Sequence, residues 1–444
     1  MVLPAKVGGR VGRCREVFLR AHEFCDSWAF VLPVACTPDR AGAANDGWYS
    51  PPRLRVREGR RTGMIRCRQL RWGGTAGWTD LDAREPTVAP VNLILAFGGR
   101  EAIAAREPFD ELLRRFPGAI VAGCSTAGEI LGTEVSDEGL VATALSFETT
   151  RVALVAEGRA DTGNSAEIGS RIAARLAAAD LVHVLVLADG IGVNGSELVR
   201  GLEAGLAARV SITGGLAGDG SRFRETLVRW EGNAAPGVVV GLGFYGEGLR
   251  VGYGSLGGWD PFGPERRITR SRGNVLFELD SRPALELYRL SLGEHAAGLP
   301  ATGLLFPLSL RSPAGGAGRV RTIVGIDERE GSLTFVGDVP EGQIARLMRA
   351  NLDRLIDGAA GAAATTLGGL AGRPAELALL ISCVGRRMIL NQRVEEEVES
   401  VRQVLGPAAA LTGFYSYGEI APSRPQARCE LHNQTMTITA FAEA

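Results

Sequence analysis

The stretch AIVAGCSTAGEI (119–130) runs from an apolar segment into a turn made of two glycines, a thiol, two hydroxyls and a carboxylate. The apolar part is typical of a short buried strand. Glycine and acidic residues are common in turns, so this turn taken alone indicates only a chain reversal. It becomes informative because two further stretches of the chain have the same outline.

A module of strand, loop, helix, strand, glycine–acid turn and strand occurs three times. Its first strands are VNLILAF (91–97), VHVLVLA (182–188) and ELALLIS (376–382). The turns are GCSTAGE (123–129), GGLAGD (214–219) and GFYSYGE (413–419), and the last strands are LVATALSF (140–147), GVVVGLGF (237–244) and TMTITAF (435–441). Internal repetition is stronger evidence of architecture than any single motif. We predict an α/β fold in which these modules form two packed α/β domains.

The helices of the modules are less regular than the strands. The first, EAIAAREPFDELLRRF (101–116), is expected to break or kink at Pro108. The second, SELVRGLEAGLAA (196–208), has Ser196 as a candidate N-cap. In the third module CVGRRMILNQ (383–392) is predicted as the loop and RVEEEVESVRQVLG (393–406) as the helix. The segment GAAGAAATTLGGLAGR (358–373) fits either a helix end with a linker or a close-packed helix.

Composition limits the class of protein. The 444 residues are 45% hydrophobic and 22% charged, which suits a globular chain with a sizeable core. The net charge of −1 gives no general attraction to nucleic acid or to an anionic membrane. We find no apolar run long enough for a transmembrane helix and no signal peptide. Seven cysteines without a CxxC pair are typical of a reduced, cytoplasmic chain, and we expect no metal or cofactor.

The first 63 residues differ from the rest because they are rich in arginine and proline and follow no long hydrophobic period. We expect them not to be part of the fold, with the native start at Met64. Cys14, His22, Cys25 and Cys36 are metal-binding residue types, but their spacing matches no zinc pattern.

The three turns are the candidate ligand site, because ligands of open α/β sheets bind at strand ends. Backbone N–H groups of glycine turns bind anions, and the following acids suit a cation, so the pattern favours a small zwitterion such as an amino acid. Glu129 and Glu419 are the expected cation partners, and the backbones of Gly123, Cys124, Gly214 and Gly215 the anion partners. The remaining candidates are Ser125, Thr126, Gly128, Gly218, Asp219, Tyr415, Tyr417, Gly418, His432 and Asn433.

Two other classes of function stay open. Cys124 or Cys383 could be the nucleophile of a hydrolase or transferase, with His432 as a base. An adaptor would instead present a large exposed apolar patch to a protein partner. The turns could also be structural only, because repeated topology alone produces repeated turns. Sequence does not decide whether the three turns meet in space.

The chain resembles the FIST sensory proteins through GCSTAGEI, GGLAGDG, SCVGR, GFYSYGEIAP and ELHNQTMTITAF, in that order. The resemblance implies a FIST N domain at 90–284 and a FIST C domain at 285–444. It also implies a cytosolic sensory protein for a small ligand such as an amino acid, and it carries over no catalytic residue. No output domain is recognisable in the sequence, so we expect signalling through a separate partner protein.

Overall fold

The computed structural model describes residues 63–81, 90–158, 164–299, 301–315, 318–423 and 427–444. The prediction for residues 1–63, together with the Cys14, His22, Cys25 and Cys36 group, therefore lies outside the described residues except for Gly63. Within these ranges the chain has mixed α/β content with several sheets, as two packed α/β domains require, which confirms the predicted fold class.

The first part of the chain carries four α-helices within the described residues: α1 (Arg100–Ala104), α2 (Glu107–Arg115), α3 (Ser165–Leu176) and α4 (Gly195–Gly205). Its strands are β1 (Arg66–Trp72), β2 (Trp78–Asp80), β3 (Leu93–Gly98), β4 (Ile120–Ser125), β5 (Glu129–Leu131), β6 (Glu134–Ser136), β7 (Leu140–Ser146), β8 (Arg151–Gly158), β9 (Leu181–Ala188), β10 (Ser211–Leu216), β11 (Val228–Trp230), β12 (Asn233–Ala235), β13 (Val238–Tyr245) and β14 (Leu249–Leu256).

The second part carries α5 (Ala284–Leu292), α6 (Leu352–Thr366), α7 (Val384–Leu390) and α8 (Val394–Leu405). Its strands are β15 (Asp260–Arg272), β16 (Val275–Leu279), β17 (Arg282–Pro283), β18 (Leu308–Arg311), β19 (Arg319–Arg321), β20 (Ile323–Asp327), β21 (Ser332–Phe335), β22 (Ile344–Arg349), β23 (Leu377–Cys383), β24 (Ala410–Ser416), β25 (Gly418–Pro422), β26 (Cys429–His432) and β27 (Met436–Glu443).

Each predicted module forms the centre of its own sheet. In each, the first two strands are parallel and the last strand runs antiparallel beside the first: β3, β4 and β7; β9, β10 and β13; β23, β24 and β27. The strand that follows each turn leaves its own module and joins another. β5 pairs with β24, β25 pairs with β10, and β11 pairs with β4. The exchange is cyclic, so the three sheets hold one another in place.

Repeated glycines in β4, β10 and β24 serve close packing. A Cβ at Gly123 would overlap the carbonyl oxygen of Ala96, and Gly214 and Gly413 stand in the same relation to the carbonyls of Val186 and Leu380. Only glycine fits where a backbone approaches this closely. These three glycines therefore recur for a packing reason that all three modules share.

Helix boundaries differ from the prediction in two places. The N-cap of α4 is Asn194, whose side chain accepts the N–H of Glu197, and the prediction of Ser196 is wrong. The segment predicted as the loop of the third module is largely helical, as α7. The break near Pro108 is confirmed, because α1 ends at Ala104 and α2 begins at Glu107.

Three further features complete the fold. Strands β15 to β22 form a separate eight-stranded sheet that packs with α5 around its own hydrophobic core. The alanine-rich segment is a close-packed helix up to Thr366, where α6 ends. This helix lies against Gly252 and Gly254 of β14, where any side chain would strike the helix backbone. Strands β1 and β2, which the sequence did not predict, extend the first sheet beyond β7.

Candidate functional site

The three turns meet, and they are joined by a cycle of backbone hydrogen bonds. The N–H of Ala127 in the first turn donates to the carbonyl of Tyr415 in the third at 2.8 Å. The N–H of Tyr417 donates to Leu216 at 3.2 Å, and the N–H of Gly218 in the second turn donates to Ser125 at 2.9 Å. Each turn thus binds the next, and the question that sequence left open is answered.

The second turn is not equivalent to the other two. Glu129 lies opposite Phe414 and Glu419 lies opposite Gly215 in the exchanged strand pairs, whereas the corresponding pair of the second module places Val228 opposite Cys124. The second module therefore has valine where the others have glutamate. Asp219 belongs to an insertion, residues 219–226, so its grouping with the two glutamates is wrong.

A cleft of about 360 Å³ opens beside the junction of the turns. Its walls come from the first turn, the insertion of the second, the loop between β6 and β7, and the α7–α8 segment of the third module. This volume lies within the range of small-molecule sites. The lining residues are Gly99, Thr126, Ala127, Gly128, Asp137, Glu138, Gly220, Ser221, Arg222, Val384, Arg387, Met388, Asn391 and Val394.

Arg387 of α7 is the most firmly held charge in the cleft. Its Nη1 donates to the carbonyl of Ala127 and contacts the carboxylate of Asp137, both at 2.6 Å. The guanidinium lies against Gly128, where a Cβ would come within 2.8 Å of it. Gly128 also has a φ of 132°, which side-chain-bearing residues rarely adopt. This glycine makes room for the arginine.

Arg222 of the insertion supplies the second positive charge. Its Nε donates to Asp219 at 2.8 Å and its Nη1 donates to Glu138 at 2.7 Å. The N–H of Asp219 in turn donates to the hydroxyl of Tyr417 at 2.9 Å. Asp219 is buried and positions Arg222, whereas Asp137 and Glu138 are largely exposed at the rim of the cleft.

Glu129 lies behind the wall of the cleft and does not line it. Its carboxylate accepts hydrogen bonds from the hydroxyls of Thr126 at 2.6 Å and Ser136 at 3.2 Å, and from the N–H of Gly139 at 3.1 Å. Burial raises the pKa of Glu129 to about 7 despite these donors. Its connection to the cleft is Thr126, which does line it.

Glu419 has matching surroundings in the third module. It accepts hydrogen bonds from the hydroxyl of Ser416 at 2.7 Å, and from the hydroxyl and N–H of Thr435 at 3.0 and 3.2 Å. Burial raises the pKa of Glu419 to about 8. This carboxylate is fully enclosed and lies apart from the residues that line the cleft.

Most of the other predicted residues lie inside the sheets. Gly123, Cys124, Gly214 and Gly215 are strand residues, each with a hydrogen-bonded strand on both sides, and Gly418 begins β25. The hydroxyl of Ser125 donates to Gly218 and accepts the N–H of Leu227. The predicted anion-binding backbones therefore face neighbouring strands, while Thr126 and Gly128 are the predicted residues that reach the cleft.

Three of the aromatic and C-terminal candidates, Tyr415, Tyr417 and His432, also have protein partners. The hydroxyl of Tyr415 donates to Glu397 at 3.0 Å, and that of Tyr417 donates to the carbonyl of Gly220 at 3.1 Å. Nε2 of His432 donates to the carbonyl of Ala421 at 2.8 Å, and burial lowers the pKa of this imidazole to about 4. Asn433 is buried next to it.

Neither candidate nucleophile has the surroundings of a reactive thiol. Cys124 is enclosed in the hydrophobic core between the sheets, and Cys383 is only 5% exposed. Burial raises the pKa of both thiols, which disfavours the reactive thiolate. His432 uses Nε2 on a backbone carbonyl, so the geometry gives the cysteine-dependent alternative no support.

The residues that sequence reasoning missed are the charged ones of the cleft: Arg222, Arg387, Asp137 and Glu138. Arg387 belongs to the GRR triplet (385–387) that follows Cys383, and only Cys383 is a sequence-based candidate in this stretch. Arg222, Asp137 and Glu138 lie in polar segments just after glycine–acid turns. In the sequence such polar segments look like solvated loops, because only the tertiary structure brings their charges together.

Within the described ranges, no helix is long and apolar enough to cross a membrane. The same ranges contain no cluster of three or more His, Cys, Asp or Glu side chains arranged to hold a metal ion.

Comparison with known proteins identifies the family. The FIST N domain model matches residues 92–282, and the FIST C domain model matches residues 284–422. No curated protein matches the chain. The cleft draws on both matched regions, because Thr126 and Arg222 lie in the first and Arg387 in the second. The two matches together cover well over half of the sequence, and the chain belongs to the FIST family.

Proposed function

We propose that this protein senses a small zwitterionic metabolite, such as an amino acid, which it binds in the cleft between its FIST N and FIST C regions. FIST domains are sensory domains of signal transduction. The proposal adds the ligand class, the site, a cytoplasmic location and a separate partner protein that receives the signal.

The charge pattern of the cleft carries the proposal. Arg387 and Arg222 supply two positive charges, and Asp137 and Glu138 supply two negative charges. A lining of balanced charge favours a ligand that has both signs over a simple anion or cation. A ligand carboxylate is expected to bind to the arginines, and a ligand ammonium to bind near Asp137 and Glu138, whose side chains are largely exposed.

The position of the cleft suits a sensor. Its walls come from three modules that are far apart in sequence, and α7 contributes Val384, Arg387 and Met388 to one wall. A ligand that contacts all the walls has different affinities for states in which the modules are packed differently. Binding therefore shifts the population toward one state, which a partner protein can recognise.

The test is a thermal-shift screen of the full chain against the standard L-amino acids, the corresponding amino acid amides, and simple carboxylates and amines. A ligand at 100 times its dissociation constant adds about 2.7 kcal/mol to stability. We expect stabilisation by zwitterions alone. A flat screen at millimolar concentrations contradicts the proposal and favours the adaptor alternative.

The matched variants are Arg387→Gln and Arg354→Gln. Arg387 lies in the cleft, whereas Arg354 is an exposed arginine of α6 that pairs with Asp260. We expect Arg387→Gln to weaken binding at least about tenfold, as loss of a charged hydrogen bond does, and Arg354→Gln to bind like the wild type. Equal affinity of the wild type, Arg387→Gln and Arg354→Gln would show that the ligand binds outside the cleft.

A further inference from the structure

We infer that Glu129 sets the ligand specificity of the cleft without touching the ligand, by fixing which way the hydroxyl of Thr126 faces. In this role Glu129 is a positioning residue. The effect on ligand affinity rests on the proposed function. The link between Glu129 and Thr126 exists in the ligand-free protein and can be tested without a ligand.

The hydroxyl of Thr126 has one hydrogen to donate and two lone pairs that accept. Its hydrogen is used on Glu129 at 2.6 Å, and one lone pair accepts the N–H of Gly128 at 3.1 Å. Thr126 is one of the residues that line the cleft, and we assign the remaining lone pair of its hydroxyl to the ligand. With Glu129 ionised, this part of the wall accepts a hydrogen bond and suits a ligand ammonium.

Protonation of Glu129 reverses the arrangement. The N–H of Gly139 can only donate, so it holds Oε2 of Glu129 as an acceptor. The contact of Oε1 with Thr126 is 2.6 Å, shorter than the 3.2 Å from Oε2 to the hydroxyl of Ser136. We therefore place the added proton on Oε1, which then donates to Thr126. The hydroxyl of Thr126 must turn its own hydrogen away from Glu129, and the wall presents a donor to the ligand.

Burial, with a smaller effect of neighbouring charges, places this change near neutral pH. Asp137, in the loop after β6, disfavours the ionised form, and Arg387 of α7 interacts with the same carboxyl. With burial as the largest cause, the pKa of Glu129 rises to about 7. Affinity for a ligand ammonium is expected to increase as the pH rises through this value.

The variant Glu129→Gln reproduces the protonated state. The Gly139 N–H requires the amide oxygen on its own side, which directs the amide NH₂ toward Thr126. Glu419→Gln is the matched control, because Ser416 and the Thr435 N–H surround Glu419 in the same manner. Neither of these partners lines the cleft.

The first arm is an NMR pH titration of the ¹⁵N-labelled full chain without ligand. We expect the amide signals of Gly128 and Gly139 to shift together near pH 7 in the wild type and in Glu419→Gln, and to lose this step in Glu129→Gln. A Gly128 signal that does not follow Gly139 overturns the inference, whatever the ligand screen gives.

The second arm measures affinity for the standard L-amino acids and their N-acetyl derivatives between pH 6 and 8. Glu129→Gln is expected to lose about tenfold in amino acid affinity together with its pH dependence, while Glu419→Gln retains both. Wild-type binding that Glu129→Gln leaves unchanged overturns the inference but keeps the proposed function. Absence of any wild-type binding rejects the proposed function. The ligand-free NMR titration then tests by itself whether Glu129 orients the hydroxyl of Thr126.

Discussion

At the residue scale, two buried carboxyls set the expected pH dependence of stability above neutral pH. The folded protein raises the pKa of Glu129 to about 7 and that of Glu419 to about 8, from an ordinary value of 4.5. In this window the folded state holds protons that the unfolded state has released, so the free energy of unfolding falls as the pH rises.

We therefore expect urea denaturation to show decreasing stability from about pH 7 to pH 9. Below pH 7 the lowered pKa values of the buried His183 and His432 change stability in the opposite direction. The contribution of Glu129 is on the order of 3 kcal/mol, from its shift in pKa. Glu129→Gln and Glu419→Gln should each flatten part of the slope. Stability that increases with pH over this window is incompatible with the two raised pKa values.

A second residue-scale prediction concerns Gly128. Replacement by alanine places a Cβ 2.8 Å from the guanidinium of Arg387 on a backbone with a φ of 132°. Gly118 is the control, because its φ of 83° is also positive and a Cβ there meets open space. We expect about 1 kcal/mol or more of destabilisation in both variants, but loss of ligand binding in Gly128→Ala alone. Equal binding by both variants contradicts the described position of Arg387.

At the element scale, α7 and α8 are held by a buried ion pair. Arg386 of α7 donates from Nε to Glu397 of α8 at 2.6 Å, and Glu397 also accepts the hydroxyls of Ser382 and Tyr415. Both members of the pair are fully enclosed. Loss of one partner leaves an uncompensated buried charge, which is strongly destabilising.

Arg386→Met is expected to lower the free energy of unfolding by about 3–5 kcal/mol, as measured by chemical denaturation. Arg393 is the comparison, because it pairs with Asp353 and Glu396 on the surface. Arg393→Met should cost under about 1 kcal/mol, since exposed pairs contribute little. Similar costs for the two variants would mean that the α7–α8 junction is not anchored as described.

The elements also show which parts of the fold sequence predicts. Continuous apolar runs such as VHVLVLA marked the parallel strands correctly, because a strand buried on both faces has no polar side. Short exchanged strands such as β5 and β11 have three residues each, and their pairing depends on partners far away in the sequence. Local pattern carries no information about such partners, so the cyclic exchange was not foreseen.

At the scale of the whole molecule, the site also depends on contacts between residues that are remote in sequence, which local pattern does not predict. The glycine–acid turns were predicted to form a ligand site, and the turns do converge on one junction. The charged residues that line the cleft beside them come from an insertion, a loop and a helix that the sequence predicts as a loop. These residues follow no periodic pattern, and only the tertiary arrangement brings Arg222, Arg387 and Asp137 together.

The exchanged strands predict cooperative unfolding. Because β5, β11 and β25 each complete another module's sheet, no module keeps its full sheet when another opens. We expect the central strands β3, β9 and β23 to exchange their amide hydrogens with one common opening free energy. Distinct opening free energies for the three sheets would show that the modules are independent.

The measurement that tests the central claim most directly is a hydrogen-exchange footprint of the full chain, with and without the amino acid that stabilises it best. A ligand in the cleft must slow exchange at once in three segments that are remote in sequence: 126–128, 220–222 and 384–391. Protection that includes all three supports a single ligand site shared by the FIST N and FIST C regions. Protection confined to one of them, or found only elsewhere, contradicts it.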